Sequence, residues 1–215
     1  MATLGATKTA IARRLLDDSN TAITLVEIAT AINEAIRHWK HKRFWFNTTS
    51  GTVSLAAADT TITLPSDFLI DVPRNALTIT QNGFPYRVRK VSPVIFDLYM
   101  NTETTGRPQV YCYRNGALEI SPYADQTYSG SLYYIKDYTD FETDTSQDSL
   151  TNDFLTHGLS LIQNQSLAWL HGELRQDEKM EKRYADRANS AYNALLGRTN
   201  MLLRTGTLAV EEIGA

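Results

Sequence analysis

TLVEIATAINEAIRHWKHKRFWF, residues 24–46, is the stretch on which the fold of this chain turns. Thr24 followed by Glu27 is a capping box, in which two side chains satisfy backbone N–H groups that a helix start leaves open. Leu25, Ile28, Ile32, Ile36 and Trp39 then recur in steps of three and four, one apolar stripe of a helix. Run from Thr24 to about Arg43, it would be roughly 30 Å long. Its end is unusual: Arg37 to Phe46 holds four cations (Arg37, Lys40, Lys42, Arg43) and four aromatics (Trp39, Phe44, Trp45, Phe46). Such a run suits a nucleic-acid surface, with cations on phosphates and rings on bases. The favoured reading is structural: Trp39 continues the buried stripe, the other rings form the junction where helix gives way to sheet, and the cations complement the helix dipole.

Outward from this segment, proline divides the chain. All six prolines lie between Pro65 and Pro122. Because proline breaks helices and marks turns and strand edges, helices are expected at both ends with β structure between them. Before the deciding helix, Ala6–Asp17 carries Ile11, Leu15 and Leu16 at helical spacing and ends in the turn-prone Asp17–Asn20. In the middle, Thr52–Leu55 and Thr60–Leu64 are short and alternating. Ala76–Thr80 and Tyr86–Lys90 flank Asn82-Gly83, and Gln109–Arg114 and Ala117–Ile120 flank Asn115-Gly116. Asn-Gly accepts the positive φ of a tight turn, so both pairs read as hairpins. Leu132–Ile135 adds a strand, and Ser92-Pro93 opens a short helix, Val94–Tyr99, over one end of the sheet.

After an acidic, Ser/Thr-rich linker (Asp137–Ser149), helical spacing returns. Leu155, Leu159, Ile162, Ser166, Trp169 and Leu170 line one long helix. Met180, Tyr184, Ala188, Ala191 and Leu195 line another, from about Asp177 to Leu196, with mixed charges opposite. Met201–Ala215 is apolar in patches (Leu202, Leu203, Leu208, Val210, Ile213) and broken by Gly206 and Gly214, which predicts an extended arm. The fold class is α+β. Residues 1–47 and 150–200 form a helical bundle domain, 48–149 a central antiparallel β-rich insert made of hairpins, and 201–215 the arm.

Composition narrows the function. With 42% hydrophobic and 21% charged residues the chain is not broadly disordered, and a net charge of −3 lacks the basic excess of a phosphate-binding protein. No apolar run nears the roughly 20 residues of a membrane span, and Met1–Lys8 has no signal-peptide core, so a cytosolic product is expected. Cys112 is the single cysteine, flanked by Tyr111 and Tyr113, and reads as a packed hydrophobe rather than a nucleophile. Phosphate-cradling glycine loops and nucleophile-elbow serines are absent. His38 with His41, and His157 with His171, lack accompanying carboxylates at ligand spacing. The acidic run Asp137, Asp140, Glu142, Asp144, Asp148 lacks the ordered spacing of a calcium loop. No catalytic residue, metal or cofactor is expected.

Several segments, in order, resemble the tailed-phage head-to-tail adaptor family. Ile32–Trp39 followed by Arg43–Phe46 looks like its opening helix and aromatic junction. Leu64-Pro65-Ser66-Asp67-Phe68 is similar to its LPxDF segment, and Gly106-Arg107-Pro108 with Gln109–Tyr113 to its GxPxxY motif. Leu118-Glu119-Ile120-Ser121-Pro122-Tyr123 resembles its L-x-L-x-P-x-P strand, with Tyr123 replacing the second proline, and Asn152–Leu155 its N-x-W-L, with Phe154 replacing Trp. The resemblance covers about Ile23 to Leu196. It implies a non-enzymatic virion protein at the head–tail junction, made in the host bacterial cytoplasm. It further implies a twelve-copy ring beneath the portal protein, contact with a tail tube or nozzle protein, and genomic DNA passing non-specifically through the lumen. In this setting Arg37, Lys40, Lys42 and Arg43 are candidates to face DNA. Leu202, Leu203, Leu208, Val210 and Ile213 are candidates to grip a partner, where small repeated contacts add up by multivalency. The alternative is a nucleic-acid-binding module using Arg37–Phe46.

Overall fold

The computed structural model describes residues 2–16, 23–72, 76–99 and 104–213, with the backbone course alone for 203–213. It is a mixed α and β structure that divides into two compact units, Met1–Asn47 with Tyr138–Ala215, and Thr48–Asp137.

The first unit is helical. Helix α1 (Leu4–Leu16) buries Leu4, Ile11 and Leu15, and α2 (Leu25–Trp39) opens on the complete Thr24–Glu27 capping box. The stripe of α2 starts one step later than its spacing suggested. Leu25 is half exposed, and burial begins at Ile28 and runs through Ile32, Ile36 and Trp39. The helix also stops at Trp39, short of Arg43. The reason is Asn47, fully buried, which accepts a hydrogen bond from the Phe44 N–H (2.8 Å) and donates to the Lys42 carbonyl (2.8 Å), fixing a turn where the helix would otherwise continue.

The acidic segment after Asp137 is largely exposed, but it is anchored rather than a free linker. From Tyr138 onward it packs within the helical unit, where buried Lys8 holds the Asp148 carboxylate (2.7 Å) and the Asp144 carbonyl (2.9 Å). The long helix expected next is broken at Gly158 into α4 (Asp153–His157) and α5 (Leu159–Trp169), followed by a π-helical turn, Leu170–Leu174. Helix α5 buries Leu161, Ile162, Gln163, Asn164, Ser166, Leu167 and Ala168, more than one face, because it packs against α1, α2, α4 and α6. Helix α6 runs Glu178–Ile213, so the segment from Met201 expected as an extended arm continues the helix instead. A single glycine inside a helix costs about 1 kcal/mol, and Gly206 does not end a helix already 28 residues old.

The second unit is a sheet. Its strands are β1 (Thr48–Leu55), β2 (Thr61–Ile62), β3 (Phe68–Asp71), β4 (Leu77–Gln81), β5 (Phe84–Lys90), β6 (Thr105–Gly106), β7 (Val110–Arg114), β8 (Ala117–Ser121), β9 (Tyr123–Ala124) and β10 (Tyr128–Lys136), with helix α3 (Pro93–Tyr99) between β5 and β6. The main sheet has the order β1-β10-β4-β5-β7-β8-β2, with β3 also on β10, and nearly closes on itself because β1 contacts β2. Both expected hairpins are present, with Asn82, Gly83, Asn115 and Gly116 all at positive φ. Strand β10 organises the sheet, pairing with β1 along eight residues on one side and with β4 and β3 on the other. Alternation sends Val53, Leu132, Ile79 and Val88 into the core, while the row Thr52, Ser131, Thr78 and Arg87 lies across the opposite face. Inside, the Asp71 carboxylate accepts from Lys90 Nζ (2.6 Å) and the Tyr111 hydroxyl (2.8 Å), and burial, reinforced by Asp71, pushes the Tyr111 phenol upward.

Candidate interaction surfaces

Three of the four rings of the basic-aromatic segment belong to the core. Phe44 is fully buried and Phe46 nearly so. Their rings stack at 5.0 Å and meet Phe154 edge-on, and Trp39, 4% exposed, stacks on Tyr192 at 4.8 Å. The rings expected at a helix–sheet junction thus pack among side chains of the helical unit. The four cations fare differently. Arg37 forms ion pairs with Glu34 and Asp140, the latter through two of its nitrogens, and these carboxylates, Asp140 foremost, raise its pKa. Lys40 caps the C-terminus of α2 and is half-buried, as is Arg43, while Lys42 is exposed. They sit together at one helix end, but with unequal access to solvent.

Helix α3 is the opposite case, an apolar surface turned outward. Only Phe96 is buried, against Val110 and Cys112 of β7, whereas Val94 and Leu98 are 76% and 84% exposed and Ile95 and Tyr99 about half exposed. Ser92 caps its start through the Ile95 N–H, and Asp97 is tied to Arg114. An α3 face of this kind was not recognised from sequence. The signal was there: five of its seven residues are apolar or aromatic beyond what one buried contact needs. Of the other anticipated contact residues, Leu202 is 43% exposed, and Leu203, Leu208, Val210 and Ile213 follow it on the backbone of α6.

Chemistry-bearing groups are dispersed. Cys112 is buried, and burial raises its thiol pKa, away from the thiolate a nucleophile needs. His38 lies edge-on to Trp39, His157 stacks near Phe46, and His171 is buried against Tyr184. Among the described residues no three His, Cys, Asp or Glu side chains gather as a metal site, and no helix is long and apolar enough to cross a membrane.

The chain thus combines a helical unit, a nearly closed sheet and apolar side chains displayed outside its core. The class to which its family points is a structural protein. Residues 2–210 match the family model described as SU10 adaptor protein, and the chain belongs to that family, one of bacteriophage adaptor components of the virion. No curated protein sequence matches it.

Proposed function

We propose that this chain assembles as a ring, in twelve copies, that joins the portal vertex to the tail and lets genomic DNA pass through its lumen. The observation that carries this reading is the family match over nearly the whole chain, from residue 2 to residue 210. The outward apolar residues of α3 support it, because a subunit with such a face gains burial from a partner. In this reading the helical unit serves as a bundle-like platform and the β unit as an insert. Leu202, Leu203, Leu208, Val210 and Ile213 reach neighbouring proteins, and Arg37, Lys40, Lys42 and Arg43 border the DNA path. A net charge of −3 suits a lumen that lets DNA slide rather than holding it.

The function is structural and uses no cofactor. A nucleic-acid module built on Arg37–Phe46 is disfavoured because Trp39, Phe44 and Phe46 are buried, which removes three of the four rings on which bases would stack, and Arg198 lies over the fourth, Trp45. Native mass measurement of the chain alone and with the portal protein of its phage tests the proposal. A ring bound to portal is the expected product, and absence of both ring and portal binding overturns it.

A further inference from the structure

Between the start of α5 and the middle of α6 runs a groove of about 330 Å³. Its floor is apolar, built from Leu161, Ala191, Ala194 and Leu195, and its rim carries His157 and Arg198 with no carboxylate. The alanines keep the floor shallow and open to a facing side chain. Arg198 lies over the Trp45 ring at 4.6 Å and has no ion-pair partner among the described residues. The groove therefore asks for aliphatic side chains accompanied by negative charge.

The chain contains a segment of that composition. Thr205–Ala215 reads TGTLAVEEIGA, with Leu208, Val210 and Ile213 beside Glu211 and Glu212 and no cation. It cannot reach the groove of its own molecule. Helix α6 is continuous from Glu178 to Ile213, so Ile213 lies roughly 20 Å further along the axis than Arg198 at 1.5 Å per residue. Only another copy can bring the two together.

We propose that the C-terminal segment 205–215 of one copy docks in the α5–α6 groove of a second copy, with Val210 and Ile213, neighbours on the helix, on the floor and Glu211 beside them toward Arg198. This rests on the ring reading and names the contact between its neighbours. The segment and the groove are different surfaces, so the contact is heterologous and propagates head to tail until the ring closes. A single contact of this size is well below a standard interface of about 800 Å² per partner, and its strength comes from repetition around the ring.

The test uses full-length chains with one cysteine added to each, since Cys112 is buried. A194C and V210C proteins are mixed under mild oxidation, with N82C, at a hairpin tip, replacing A194C as the control, and ring formation is followed in parallel by native mass spectrometry. The A194C–V210C disulfide is expected to form at least tenfold faster than the control. Adding R198E to the A194C chain should slow it at least fivefold, and E211K/E212K on the V210C chain should restore it. A rate equal to the control, or indifference to the charge exchange, overturns the docking even if rings form. Preferential linkage of V210C to added portal also overturns it, naming portal as the surface that receives the segment. Cross-linking without rings under any condition keeps the docking and rejects the ring.

Discussion

Asn33 on α2 and Phe141 in the acidic segment pair as two strands would: the Asn33 side-chain amide donates to the Phe141 carbonyl (2.8 Å) and accepts from the Phe141 N–H (3.0 Å). Both residues are buried, so these backbone groups have no water to turn to. Asn33→Leu, which keeps the volume but removes both partners, is expected to cost about 2–4 kcal/mol. Urea unfolding checks this, and a change under 0.5 kcal/mol would mean that the segment detaches readily.

Trp39→Ala should destabilise the protein by about 3–5 kcal/mol, as large-to-small core changes do. Its indole N–H is buried without a hydrogen-bond partner, so Trp39→Phe loses packing but no bond and should cost under half as much. Thermal melting of both variants separates the two contributions; an unchanged melting temperature in Trp39→Ala would place the ring at the surface.

Gly130→Ala tests the sheet. A Cβ there would stand 2.3 Å from the Thr78 carbonyl oxygen and 3.2 Å from the Ile79 Cα, backbone atoms that cannot yield without parting β10 from β4. The expected cost is about 3 kcal/mol. Gly83→Ala, at φ +83° with open space around it, should cost only about 1–2 kcal/mol, and comparing the two denaturation midpoints decides whether crowding or conformation matters more.

The α2 cap gives a pH dependence. Glu27 accepts from the Thr24 N–H (2.7 Å) and hydroxyl (2.8 Å), which hold its pKa below the ordinary 4.5. A pKa lower in the folded than in the unfolded state means a contribution complete above the unfolded value and lost as pH falls through the folded one. Between pH 6 and pH 3, stability should therefore decline more in the wild type than in Glu27→Gln, measured by urea titration at each pH. Parallel declines would show that the carboxylate does not hold the cap.

Removal of residues 201–215 should leave the helical unit folded while weakening assembly. The last buried side chain described on α6 is Thr199, and Met201 and Leu202 are already exposed. Circular dichroism and native mass of the truncated chain report the two effects; loss of the folded signal would assign the segment to the core.

What could be foreseen from sequence was local. The Asn-Gly turns, the Thr24–Glu27 box and the Ser92-Pro93 start each act within four residues, and all three are present. Long-range pairings left no such trace: nothing near Leu132 announces that β10 takes β1 on one side and both β3 and β4 on the other. The anchoring of the acidic segment was missed because its charges dominate it, while the informative residues were its two aromatics, Tyr138 and Phe141. Gly158 and Asn47 act through bonds that spacing does not encode. Leu202, proposed from composition, is exposed, whereas the α3 face and the Arg198 groove depend on what neighbouring elements leave uncovered.

Lys8 and Asp148, with the Leu4 N–H on the Leu150 carbonyl, tie the first helix to a segment some 140 residues later. All strands of the β unit, Thr48–Asp137, emerge from the ribosome before that partner does. At about 5–20 residues per second the first two helices wait roughly 5–20 s for residues that complete their packing, while the sheet already has its full complement. During synthesis the contiguous unit is thus free to fold first, and the split unit must close afterwards around a chain that has already left and come back.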